Sequence, residues 1–220
     1  MLRIKRIVCR SASNYTGRVY TSRQLQSASP ESHLNESRNT MDHNLSQTIA
    51  LLARTPATLN ALLCDLPEAW TLQNEGENTW SAYDVVDHLV YVERGDWIPR
   101  IKIVLEFGET QTLEPVDRQA HLRETQRKTL PQLLDKFAWQ RSENLEELRA
   151  LNLQPADLKR CGRHRALGPI TLSALVATWA VHDLTHLHQV SRILAHQYRD
   201  AVGPWNRYLG VLQCAGHSSA

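Results

Sequence analysis

The sequence predicts an all-α protein folded as an up-and-down four-helix bundle. From Met41 onward, four long segments carry apolar residues at spacings of three or four, the period of a helix with one buried face. Almost no segment alternates in the way that predicts strands. The connections are modest in length, which favours antiparallel neighbours and leaves room for one longer crossover.

The first two predicted helices each contain a proline. One helix is predicted over residues 43–64, where Pro56 indicates a kink or a restart. Its apolar residues are Leu45, Ile49, Leu52, Leu59, Leu62 and Leu63. The next follows Ser81, a favourable N-cap residue, in the stretch "WSAYDVVDHLVYVERGDWIPRIKIVLEFGE". Pro99 is expected to bend or interrupt it.

The third and fourth predicted helices are longer. The third is expected over residues 117–151. Its apolar stripe consists of Leu122, Leu130, Leu133, Leu134, Phe137, Leu145, Leu148 and Leu151. A loop marked by Pro and Gly then leads to a helix over residues 171–199, which Gly203 and Pro204 follow.

Composition indicates one soluble globular domain. The 220 residues are 42% hydrophobic and 22% charged, and no apolar run approaches the ~20 residues of a membrane span. The cysteines are scattered without a C-x-x-C pair, so neither a disulfide framework nor a cysteine metal site is indicated. A reducing, cytoplasmic location is therefore predicted, with no membrane partner.

The first 40 residues differ from the rest of the chain. They carry seven basic and two acidic side chains and no sustained apolar periodicity, whereas the remainder is mildly acidic. We predict a disordered extension over 1–40, or a start assigned upstream of Met41, and a bundle domain over 41–215. Organellar targeting by the extension is the weaker alternative. Because the body has no basic face, a nucleic-acid partner is not expected.

Three histidines are candidate metal ligands. His182 and His186 lie four residues apart in "WAVHDLTHLHQ", on the apolar stripe of the fourth helix, and His88 lies on the stripe of the second. One helical turn brings two imidazoles to a common ion, and apolar neighbours cannot satisfy their nitrogens. The alternative is that each is an independent core histidine held by a backbone group or water.

Other polar residues near these histidines have structural interpretations. Asp183 occupies the place of the glutamate in the zinc-protease pattern H-E-x-x-H, but it projects about 100° around the helix from His182. In "ERGDWIPR", Asp96 and Arg100 are spaced as an ion pair within one helix. The remaining candidates, His121, His164, His188 and His196, lack a partner at ligand spacing and are left out of the predicted site.

Taken in order, the motifs "WSAYDVVDHL", "ERGDWIPR" and "LGPITLSALVATWAVHDLTHLHQ" resemble the DinB-like metal-binding four-helix bundle superfamily. The resemblance covers Met41 to Leu212 and implies a divalent metal bound by His88, His182 and His186. It implies zinc or nickel first, with manganese or iron as alternatives. Relatives include thiol-dependent transferases, so a small-molecule substrate and a low-molecular-weight thiol are expected partners.

Two functional classes remain open. The first is a metal-dependent enzyme, either a hydrolase or a thiol transferase, because three neutral His ligands leave a position open on the ion. The second is a non-catalytic metal- or ligand-binding bundle. The resemblance also implies a homodimer, for which the candidate interface residues are Trp97, Ile98, Trp139, Trp205 and Tyr208.

Overall fold

The computed structural model describes residues 43–123 and 128–214, so the predicted extension over 1–40 lies outside the described residues. The α-helices are α1 (Leu45–Leu52), α2 (Thr55–Leu63), α3 (Glu68–Thr71), α4 (Ala82–Gly95), α5 (Trp97–Phe107), α6 (Leu130–Ala150), α7 (Pro155–Leu158), α8 (Leu172–His196) and α9 (Gly210–Gln213). Short 3₁₀ helices span Gly108–Thr110, Ala120–Arg123 and Gly203–Tyr208. The strands are β1 (Thr112–Leu113), β2 (Cys161–His164) and β3 (Gly168–Thr171).

The fold is a four-helix bundle, as predicted, but the first two predicted helices are each divided. Pro56 lies in the first turn of α2, which confirms the restart. The second break is at Asp96, between α4 and α5, and not at Pro99. Pro99 instead lies in the first turn of α5, where a backbone N–H has no intrahelical partner to lose.

Capping side chains set where the bundle helices begin. Ser81 starts α4, as predicted, through a capping box in which its hydroxyl accepts from the Asp84 amide. Thr129 and Gln132 form the same arrangement at the start of α6. The third helix is therefore shorter than the predicted 117–151, because the chain ahead of Thr129 includes a turn and a 3₁₀ helix.

A small three-stranded sheet occupies the region expected to be loop. Strand β2 pairs with β3 as an antiparallel hairpin and with β1 in parallel. Gly162 is required here, because a Cβ at this position would lie 2.6 Å from Cγ2 of Val104. Strands of two to four residues are too short to show a recognisable alternation, which explains why the sequence pattern missed them.

Two clusters of buried apolar residues form the core. One joins α2, α4, α6 and α8 and includes Leu89, Phe137 and Val190. The other is centred on Trp97 and Trp179, whose rings stack with 5.7 Å between their centroids. Helix α8 contributes to both clusters, and its two candidate ligands lie along the chain between those contributions.

Two of the five residues predicted for the dimer surface are buried in the structure. Trp97 and Ile98 are 4% and 3% exposed, so they belong to the monomer core and are not surface residues. Trp139, Trp205 and Tyr208 are exposed. Within the described ranges, none of the helices has the length and apolar character needed to cross a membrane.

Candidate metal centre

Helices α4 and α8 bring the three predicted ligands together. His88 comes from α4, and His182 and His186 come from successive turns of α8. Each offers a ring nitrogen, and these atoms lie within 4.8 Å of one another. Among the described residues, this is the one group of three metal-binding side chains so arranged, and it contains no carboxylate.

The rings of His182 and His186 face each other through their Nε2 atoms, which are 3.1 Å apart. Two nitrogens bound to one tetrahedral zinc ion at its usual bond length would be about 3.3 Å apart. Nδ1 of His186 lies 2.8 Å from Oε1 of Gln189. Because an amide oxygen only accepts, Nδ1 carries the proton and Nε2 presents its lone pair.

The electrostatics keep the imidazoles of His88 and His182 neutral. Burial, with smaller contributions from His186, His121 and Arg118, lowers the pKa of His88 to about 2. Burial also lowers the pKa of His182 well below its usual range, and the charges of His186 and His88 act in the same direction. Neutral imidazole is the form that binds a metal cation, so the donor set fits a divalent metal at neutral pH.

Aromatic rings line the site. Trp80 packs against His88 with 4.8 Å between centroids and stacks on His186 at 6.2 Å. Trp97 meets His182 at 5.2 Å. Both indoles are buried, so the imidazoles are held in surroundings from which bulk water is largely excluded.

His121 is a neighbour of the site that the sequence did not indicate. It lies in the 3₁₀ helix Ala120–Arg123, is buried, and packs against Trp80 at 5.0 Å and His88 at 5.3 Å. It is not a member of the three-ligand group. No local spacing could have identified it, because only the tertiary fold brings this segment to α4.

Asp183 faces away from the three histidines and into a buried ion-pair cluster. Its carboxylate accepts from Nη1 of Arg141 at 2.6 Å, from Nη2 of Arg141 at 3.0 Å and from Oγ1 of Thr55 at 2.6 Å. Arg141 also donates to both carboxylate oxygens of Glu93 and to the carbonyl oxygen of Leu52. Asp183 is thus committed to structure, and the zinc-protease role of a general base has no support.

The "ERGDWIPR" motif also serves the fold. Nε of Arg100 lies 2.5 Å from Oδ1 of Asp96, which confirms the predicted ion pair. Glu93 is fully buried against Arg141, and Asn144 donates to its backbone and side-chain oxygens. These residues join α4, α5 and α6, so they support the helix that carries His88.

Comparisons with known proteins agree with this architecture. The family model of the DinB superfamily matches residues 51–190. The structure is similar to that of YfiT from Bacillus subtilis, with a TM-score of 0.62 and 20% sequence identity over 73% of this chain and 91% of that one. YfiT is described as a probable metal-dependent hydrolase with an unusual four-helix bundle topology. Comparison with curated proteins gave no match.

The family match and the arrangement of the histidines point to the same conclusion. The matched region covers more than half of the chain and contains His88, His182 and His186. This protein therefore belongs to the DinB superfamily.

Proposed function

We propose that this protein is a metalloenzyme in which His88, His182 and His186 hold one divalent ion and a small molecule reacts there. The observation that carries the proposal is the convergence of three imidazoles, those of His88 and His186 buried and that of His182 half-buried, with ring nitrogens within 4.8 Å of one another. The similarity to YfiT supports the fold.

The donor set favours zinc or nickel, with manganese or iron as alternatives, because imidazole suits all of these ions. When bound, such an ion supplies Lewis acidity and an open position for water or a thiolate. This chemistry serves either hydrolysis or transfer to a low-molecular-weight thiol.

The residues around the site have distinct roles in this proposal. Trp80 and Trp97 exclude bulk water from the imidazoles and limit how large a group can approach them. Arg118 is exposed, and its charge acts on both His88 and His182. A cation near three neutral ligands favours a substrate that carries a negative charge.

The second candidate function is a non-catalytic binding module. It is favoured by the absence of a carboxylate from the described ligand group and by the engagement of Asp183 with Arg141. In this alternative the same ion would stabilise the bundle or bind a ligand without turnover.

One experiment separates the two. The purified full chain is analysed for bound metal and then assayed on ester, amide and thiol-conjugation substrates, with and without chelator. We expect about one ion per chain and turnover that the chelator abolishes. His188→Ala, at an exposed position of α8, is the matched control and should keep both properties. Stoichiometric metal without turnover on any panel would favour the binding module, and absence of metal would contradict both.

A further inference from the structure

Gln189 contacts one of the three proposed ligands directly. It lies on α8 one turn after His186 and is 2% exposed. Its Oε1 is 2.8 Å from Nδ1 of His186, on the side of the ring opposite the nitrogen that faces His182. A glutamine buried this deeply requires a hydrogen-bond partner, and the imidazole supplies it.

This hydrogen bond selects one tautomer of His186. An amide oxygen has no proton to give, so Nδ1 must donate and Nε2 must be the bare nitrogen. This bare Nε2 is the ring atom of His186 that faces His182. The other tautomer would place a proton on Nε2 and remove the lone pair that a metal needs.

The other two ligands lack an equivalent partner. Nδ1 of His88 and Nδ1 of His182 are buried and have no hydrogen-bond partner within the part of the chain that the structure describes. Aromatic packing by Trp80 and Trp97 restrains the orientation of these rings. In the metal-free site, Nε2 of His182 lies 3.1 Å from the bare Nε2 of His186, so the tautomer of His182 follows from that of His186. In the described site, Gln189 is the side chain that fixes a tautomer through a neutral acceptor.

We propose that Gln189 is a positioning residue that prepares His186 for metal binding before the ion arrives. This inference rests on the proposed function, since it assumes that His186 is a ligand. Hydrogen-bond partners behind ligating histidines typically account for 10- to 100-fold in metal affinity. Removing the acceptor should therefore weaken zinc binding by about that factor while leaving the fold intact.

The test uses the full chain and two substitutions at one position. Gln189→Met keeps the length and volume of the side chain and removes the acceptor, whereas Gln189→Glu keeps an acceptor oxygen at the same reach. Gln140→Met is the matched control, because Gln140 is also a buried glutamine but its Oε1 has no hydrogen-bond partner among the described residues. Zinc affinity is measured by competition with a chromophoric chelator, and ¹⁵N NMR of the metal-free protein reports the tautomer of His186.

We expect Gln189→Met to lose zinc affinity about 10- to 100-fold and to lose the pure Nδ1–H tautomer, while Gln189→Glu and Gln140→Met stay within about threefold of the wild type. Equal losses in the Met and Glu variants would overturn the proposal, because packing and not the acceptor would then be responsible. Wild-type affinity in Gln189→Met would overturn it as well. If the wild type binds no zinc, it is the proposed function that fails, and the two failures are thereby distinguished.

Discussion

At the scale of single residues, the hypothesis that three histidines share one ion gives a specific prediction. Changing any one of them to Ala should abolish stoichiometric metal binding, and the double variants should lose no more than the single ones, because the ligands act as a unit. Elemental analysis of the purified variants measures this. Independent core histidines would instead give separate losses of stability that are indifferent to added metal. Full occupancy in His186→Ala would disprove the site.

Arg118 gives a prediction about the charge of the ligand. A thiol that carries a carboxylate, such as thioglycolate, should bind the cobalt-loaded protein more tightly than 2-mercaptoethanol, which has no carboxylate. Arg118→Ala should weaken only the thioglycolate complex, by up to about fivefold, the upper value for an exposed ion pair. Arg123→Ala is the control, because Arg123 in the same segment already pairs with Asp117. A preference that survives in Arg118→Ala would exclude this role.

Asp96 gives a prediction about pH. Burial raises the pKa of its carboxyl to about 6, although Arg100 pulls in the opposite direction. The folded protein therefore holds this proton more tightly than the unfolded chain, so its contribution to the free energy of unfolding falls as pH rises from about 4 to about 6. Relative to Asp96→Asn, the wild type should lose stability over that window.

Urea denaturation at pH 4.5 and pH 7 measures the effect, with Glu106→Gln at an exposed position of α5 as the control. The unfolding free energy of the wild type minus that of Asp96→Asn should be smaller at pH 7 than at pH 4.5. A difference that is the same at both pH values would contradict the linkage.

At the scale of elements, Arg141 holds α6 against α4 and α8. Its guanidinium uses all its N–H directions on Glu93, Asp183 and Leu52 and lies over the rings of Phe137 and Trp179. Burial by itself raises the pKa of Glu93, and Arg141 opposes that shift. Loss of the arginine would leave two buried carboxylates without a counterion.

Arg141→Met should therefore lower the free energy of unfolding by about 3 to 5 kcal/mol, the usual result of breaking a buried ion pair. Adding Glu93→Gln and Asp183→Asn should recover part of that loss, since neutral amides do not need a counterion. Arg149→Met, at an exposed position of the same helix, is the control and should change stability little. Denaturation curves for the four proteins decide the matter, and a triple variant less stable than Arg141→Met would show that the charges themselves are favourable.

Elements with local signals were the ones that the sequence could predict. The stripe of α8, the spacing of His182 and His186, and the N-cap at Ser81 all depend on residues within two turns of one another. His88 could be placed on a buried face, and three inward-facing imidazoles on two helices already predicted a shared ion, which the family resemblance then supported. Several features that the sequence did not predict depend on long-range contacts.

The missed features are the short hairpin of β2 and β3, the break at Asp96 and the burial of His121. The hairpin and the burial of His121 depend on neighbours far away in the chain. Gly162 is fitted against Val104, and His121 packs on Trp80 and His88. A periodicity argument contains no information about such neighbours, so these features required the folded structure.

At the scale of the whole molecule, the remaining question is whether two copies associate. The family resemblance implies a homodimer, and burial of Trp97 and Ile98 leaves Trp139, Trp205 and Tyr208 as its candidate aromatic residues. Trp205 and Tyr208 are each 68% exposed and lie 6.2 Å apart between ring centroids. An exposed aromatic pair is the kind of anchor that a two-fold interface buries.

We expect light scattering at micromolar concentration to give about twice the 25.1 kDa of one chain. The double variant Trp205→Ser/Tyr208→Ser should shift that mass toward the monomer, because removing two interface anchors typically costs more than 2 kcal/mol of association. Trp139→Ser, on α6, tests the alternative surface and should have no effect if the C-terminal pair forms the interface. A wild-type mass near 25.1 kDa at these concentrations would sink the dimer and leave Trp205 and Tyr208 as ordinary surface residues.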